Sequence, residues 1–307
     1  MKKLCKTLCV ALVATFALST GYAQNMEQAT EIFNNAVTAL NEDRDNDALT
    51  GFQQAMEMAA AAGEEGVSMV NDCKGVIPGI LLKMGKTAAN DQDIDGAIAK
   101  LNEAIAKAGE YGNTEVAAEA KELIPVVMLA DGNTLFNAKQ YAEALAEFQK
   151  VLQYDPENGM AYLRIGMTQN RLGDKAAAIE ALEKAMTLGQ EDNAKKQLLG
   201  VYANAAVAAY KGKNHAEAFE NAQKAAEYGD NPQVYQIGGI AAFNLKKYDE
   251  SIAMLSKAKQ GNSISYYLAR AYEGKGDNAK ACEYYQKIVN DSNLGAYAKS
   301  KVSTLCK

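Results

Sequence analysis

Few residues in this chain have the type and spacing to do chemistry. The single histidine, His215, sits between Asn214 and Ala216 with no cysteine or carboxylate cluster at metal-ligand spacing around it. A lone imidazole of this kind reads as structural, and zinc enzymes and histidine-based triads are not expected. Cys73 lies in an apolar helical phase, which fits a buried thiol better than a nucleophile. The patterns G-x-S-x-G, H-E-x-x-H, the P-loop and G-x-G-x-x-G do not occur. Asp43-Arg44-Asp45-Asn46-Asp47 has the alternating carboxylates of a calcium loop but lacks its glycine and its distal glutamate, so a solvated turn is expected. The run Asp91-Gln92-Asp93-Ile94-Asp95 gets the same reading. The expectation is a non-enzyme with no catalytic residue, no metal and no cofactor.

Composition narrows the class further. The chain has 307 residues, 48% hydrophobic and 23% charged, which is too apolar and too mixed in charge for a disordered protein. The length suits two globular domains or one array. A formal charge of −6 argues against general nucleic-acid binding, which wants a basic face.

The first residues read as an address. Lys2, Lys3 and Lys6 precede an apolar run from Leu8 to Leu18, and Gly21-Tyr22-Ala23 supplies a small-x-small ending. That is the layout of a secretory signal peptide over residues 1–23, cleaved after Ala23. Eleven residues of helix rise only about 17 Å, too short for a hydrocarbon core of about 30 Å. Gln24 and Asn25, not cysteine, follow the cleavage point, so no lipid anchor is expected. The mature chain, residues 24–307, is expected to be exported to the periplasm, with secretion as the alternative, and not to insert in a membrane. Losing the three lysines takes its formal charge from −6 to −9.

The remainder repeats itself. Gly132 and Gly166 are 34 residues apart, and at the same step Ala144 falls on Ala178, Phe148 on Leu182 and Val151 on Ala185. A helix–turn–helix period of this length is a solenoid signature. The residues resemble tetratricopeptide (TPR) repeats, a family with small residues at repeat positions 8 and 20 and a bulky one at 24. Position 8 is Ala36, Gly85, Gly132, Gly166, Ala206, Gly239 and Ala269. Position 20 is Ala48, Ala97, Ala144, Ala178, Ala218, Ser251 and Ala281. Position 24 is Phe52, Leu101, Phe148, Leu182, Ala222, Leu255 and Tyr285. The resemblance implies an all-α, right-handed superhelical solenoid of about seven helical hairpins. Repeats are expected near 29–62, 78–111, 125–158, 159–192, 199–231, 232–261 and 262–291, with a capping helix at 294–306.

The steps between position-20 residues are uneven: 49, 47, 34, 40, 33 and 30. In the two long ones apolar residues keep helical phase through a proline, as in Val70, Cys73, Ile77, Leu81 and Met84 around Pro78. Long first helices kinked at Pro78 and Pro125 are expected, the alternative being a short extra helix that stops just before each proline. Cys282 falls early in the last repeat's second helix and Cys306 at the end of the capping helix. If those helices pack antiparallel, the sulfurs meet as a disulfide; otherwise both are buried free thiols.

In the TPR family the first helix of each repeat lines a concave groove. Carried onto this chain, the groove residues are Asn133, Phe136, Asn137, Arg164, Met167, Arg171, Tyr210, Lys211, Phe243, Asn244 and Arg270. Asparagine offers both a donor and an acceptor to an extended peptide, while Phe136, Met167, Tyr210 and Phe243 would receive apolar side chains. Arg164 and Arg171, seven apart, lie on one helical face and suit a carboxylate. Asparagine also simply favours helix ends. Two roles follow: a non-catalytic scaffold that binds a peptide segment or partner protein in its groove, or a structural subunit of a cell-envelope assembly docking through its convex face or ends.

Overall fold

A computed structural model describes residues 22–306, with side chains from Asn25. The expected leader therefore lies outside the described residues except for its last two. Fifteen α-helices account for nearly all of the described chain. They run as seven pairs, each a first (A) helix and a second (B) helix: α1 (Tyr22–Asn41) with α2 (Asp45–Ala61), α3 (Val67–Asn90) with α4 (Ile94–Tyr111), α5 (Thr114–Asn137) with α6 (Tyr141–Tyr154) and α7 (Gly159–Leu172) with α8 (Lys175–Thr187). Then come α9 (Glu191–Lys211) with α10 (His215–Tyr228), α11 (Pro232–Asn244) with α12 (Tyr248–Lys257) and α13 (Asn262–Lys275) with α14 (Asn278–Gln286). The last helix, α15 (Gly295–Leu305), follows alone. The architecture is an all-α TPR solenoid. Two compact units divide it, one ending at Met128 and the other beginning at Leu129.

Close helix approach explains the small columns. All seven position-20 residues are fully buried, and the position-24 side chains beside them are at most 1% exposed. At the glycines of position 8 the constraint is stricter than small size. A Cβ on Gly132 would lie 2.5 Å from the Phe148 ring, and one on Gly166 would lie 2.6 Å from Leu182 Cγ. The bulky residue of the B helix occupies the space that a Cβ would need. Ser251 fits the buried column because its hydroxyl donates to the Gly239 carbonyl at 2.8 Å.

One turn recurs at every A–B junction. A single residue takes positive φ: Asp43, Gln92, Lys139, Gly173, Lys213, Lys246 and Gly276. The next residue's N–H then reaches back to a carbonyl five residues earlier, as Gln140 does to Leu135 at 2.9 Å and Asp277 to Tyr272 at 2.9 Å. This closes the end of the A helix in Schellman fashion. Asp93, Asp174, Asn214 and Asp277 then cap the B helix with their side chains.

In the first unit, Pro78 lies inside the 24-residue helix α3. Pro125 likewise lies inside the continuous helix α5, so no short extra helix ends before either proline. The A helices of three repeats begin earlier than the repeat spacing suggests, at Val67, Thr114 and Glu191. In α9 the reason is burial: Ala194 and Leu198 are fully buried and continue the phase of Val201 and Ala205. The acidic turn at Asp43–Asp47 is paired rather than merely solvated. Lys83 from α3 reaches Asp43 at 2.6 Å and Asp45 at 2.7 Å, and Arg44 holds Glu42 and Asp47.

In the second unit, α15 closes the last repeat. Ala298 is fully buried against Tyr285 and Ile288. Cys282 and Cys306 are joined as a disulfide with Cα atoms 5.5 Å apart. Lys301 pairs with Glu273, which also accepts the Tyr285 hydroxyl at 2.7 Å. Cys73 in the first unit is a free, buried thiol.

Candidate functional site

The eleven candidate groove residues all lie on A helices of the second unit. They fall into three environments. Asn137, Lys211 and Asn244 are the last residues of α5, α9 and α11, and Arg171 stands one residue before the end of α7. All four are exposed. Asn244 turns back on its own helix, donating from Nδ2 to the Ile240 carbonyl at 2.9 Å. The asparagines thus occupy helix ends, and no hydrogen bond joins them into a row.

Phe136, Met167 and Tyr210 are half-buried and belong to the packing. Phe136 meets Tyr141 edge-on with ring centroids 5.3 Å apart. Met167 packs on the cluster around Leu163 and Leu182, and Tyr210 on the cluster around Phe219 and Tyr235.

The two half-buried arginines differ sharply. On α13, the Arg270 guanidinium lies 4.8 Å over the Phe243 ring and 5.6 Å over Tyr266, and it donates to the Tyr266 hydroxyl at 3.2 Å. Phe243 also packs edge-on against Tyr267 at 5.5 Å. Burial works against the charge of Arg270, but the Tyr266 hydrogen bond and the charge interactions with Tyr266, Tyr297 and Tyr285 together outweigh it and hold the pKa above its usual value. On α7, Arg164 has a buried Nε without a hydrogen-bond partner. On α5, Asn133 has a buried Oδ1 in the same condition. Thr168, one turn on from Arg164, is fully buried and returns its hydroxyl to the Arg164 carbonyl at 2.6 Å. A buried donor and a buried acceptor thus lack partners on the A helices of successive repeats.

Sequence reasoning named Arg164 and Asn133 but gave no sign that they differ from Arg270 and Asn244. It missed Tyr266 and Tyr267. Gln169 also has an unpartnered buried Oε1, but it sits about 140° around α7 from Arg164 and belongs to another face. A cleft of about 380 Å³ between the B helices α10 and α12, floored by Phe219, Tyr235 and Met254, was missed as well.

Family profiles described as tetratricopeptide repeat match residues 129–193 and 264–292, so the chain carries TPR repeats. Solved structures with a similar fold include YrrB, described as a TPR protein with an unusual peptide-binding site, at 20% identity over 57% of this chain and 91% of that one, TM-score 0.37. MamA is 20% identical over 57% of this chain and 94% of its own, TM-score 0.39. A tetratricopeptide repeat protein from Parabacteroides merdae is 12% identical over 92% of this chain and all of its own, TM-score 0.29. At these scores the neighbours say nothing about what this chain binds. No curated protein matches it.

Proposed function

We propose that the protein is an exported, non-catalytic TPR scaffold that binds an extended peptide segment along the A helices of its second unit. The observation that carries this is the pair of unsatisfied groups, Arg164 Nε and Asn133 Oδ1. One needs an acceptor and the other a donor. A peptide group offers both, a carbonyl oxygen and an N–H, whereas a simple anion offers only acceptors. Arg171, exposed on the same helical face as Arg164, gives the segment a second cationic contact. Export rests on the basic, apolar and small-residue order of residues 1–23.

The test is a pull-down from the envelope fraction with residues 24–307 as bait. The comparison bait carries Asn133→Ala and Arg164→Ala, with its fold checked by circular dichroism. A partner retained by the first bait and lost by the second is expected. Equal retention would remove the groove from consideration and favour the second reading, docking through the B helices, for which the cleft between α10 and α12 speaks. Sequencing the N-terminus of the native protein is expected to begin at Gln24.

A further inference from the structure

The cleft between α10 and α12 has a cause written in the repeats. Eight residues after each small residue of the B helices stand Met56, Ile105, Leu152, Met186, Ala226, Lys259 and Val289. Leu152 packs against the cluster of Ala144, Phe148, Ile165 and Ala181, and Met186 against the cluster that includes Leu182, Ala194 and Leu198. Each cluster includes residues of the next repeat. Lys259 and Val289 lie past the ends of α12 and α14, at Lys257 and Gln286. Among the members of this column that lie on a helix, Ala226 alone stops at Cβ. The space that a methionine or leucine fills elsewhere is open here.

That opening is about 380 Å³, and its floor is already dry: Phe219, Tyr235 and Met254 are 4%, 5% and 8% exposed. The rim carries charges of both signs. Lys247 lies over the Phe219 ring at 4.7 Å and Lys257 over the Tyr235 ring at 5.2 Å. Glu227 on one wall has Lys224 at 3.3 Å. Glu250 on the other wall has no cation in pairing distance among the described residues.

We propose that this cleft is a docking socket for a leucine- or methionine-sized side chain of a partner polypeptide, flanked by a lysine or arginine that pairs with Glu250. The choice of side chain follows from the column, in which Met186 and Leu152 hold the position of Ala226 and pack against the apolar clusters beside them. The flanking cation follows from the unpaired carboxylate. The site lies between the B helices α10 and α12, with Tyr235 from α11 in its floor, and includes none of the groove residues.

The experiment uses residues 24–307 labelled at the methionine methyl groups, with the Met254 signal assigned through Met254→Leu. Three probes are titrated: the N-acetyl amides of leucyl-lysine, alanyl-lysine and leucyl-glutamate. Leucyl-lysine is expected to shift the Met254 signal, with alanyl-lysine about tenfold weaker, from the apolar area that leucine buries. Ala226→Met is expected to abolish the response while raising Tm, which shows that the variant is folded and its gap filled. Equal response to leucyl- and alanyl-lysine, an unchanged response in Ala226→Met, or no shift with millimolar leucyl-lysine would overturn the proposal. Leucyl-glutamate binding as well as leucyl-lysine would overturn the assignment of the flanking cation. Asn133→Ala with Arg164→Ala is expected to leave the titration unchanged, so the socket and the groove stand or fall separately.

Discussion

Arg164 and Arg270 stand on A helices of the same unit, three repeats apart, and have opposite surroundings. Around Arg270, the chain supplies everything that the guanidinium wants: two ring faces and a hydroxyl. Around Arg164, Nε is buried and unmet, as is Oδ1 of Asn133 on the preceding A helix. The α13 end is finished, braced by α15, a disulfide and the Lys301–Glu273 pair. The α5–α7 end is left incomplete. The same residue type meets two different surroundings, and the difference lies in which partners the fold supplies.

Four measurements test how far the contrast holds. Reducing the Cys282–Cys306 bond has the largest expected effect. A bond spanning 24 residues constrains the unfolded chain by about 3 kcal/mol, so Tm should fall on reduction. Hydrogen exchange should rise in α14 and α15 and stay level in α7; a rise in α7 would break the comparison. Cys73 should stay unreactive toward thiol reagents throughout, since burial pushes its thiol up to about 12.

Arg270→Ala comes next. It removes two cation–π contacts and a hydrogen bond at a half-buried site, which together cost about 2 kcal/mol in chemical denaturation. The opposite result is expected for Arg164→Met combined with Asn133→Leu. These changes remove unsatisfied polar groups, so Tm should hold or rise, while affinity for a captured partner falls about tenfold, near 1.4 kcal/mol. Loss of stability here would show that the groups are satisfied in solution and would erase the contrast.

The smallest effect concerns Glu273. Burial pushes its carboxyl up, but the hydrogen bonds from Lys301 and Tyr285 outweigh this and hold it below the ordinary value. A carboxyl depressed in the folded state adds stability above its ordinary pKa of about 4.3. That stability is lost as pH falls through the lower folded value. Glu273→Gln should therefore lower Tm at neutral pH by the equivalent of about 1 kcal/mol, and the difference from the parent should vanish in acid. A difference that persists at low pH would mean that the pair contributes nothing.

The repeat columns were legible in the sequence because close helix approach admits only small residues: at Ala144 and Ala178 a larger side chain would push the helices apart. The early starts of α3 and α5 were legible, because apolar residues keep helical phase through Pro78 and Pro125; that of α9 was not, because it is signalled only by scattered residues such as Ala194 and Leu198. The distinction between Arg164 and Arg270 was not legible. It depends on whether a tyrosine from the same helix, Tyr266, and a phenylalanine from another, Phe243, arrive at the guanidinium. Asparagines at 137 and 244 were visible, but their spacing suits helix ends as well as ligands, and Asn244 in fact bonds its own helix. Ala226 was visible as a letter; its meaning appears only when the seven repeats are aligned on their B helices.

The bond between Cys282 and Cys306 also gives the array a direction. In a stack whose members touch mainly their neighbours, opening begins at whichever end is easiest to lift. The last hairpin cannot peel from α15 while the sulfurs are joined, and among the described residues no disulfide restrains α1. Under oxidising conditions the chain should unzip from its N-terminal hairpins, and a protease should cut there first. Once the sulfurs are reduced, both ends are free to start, and that polarity is lost.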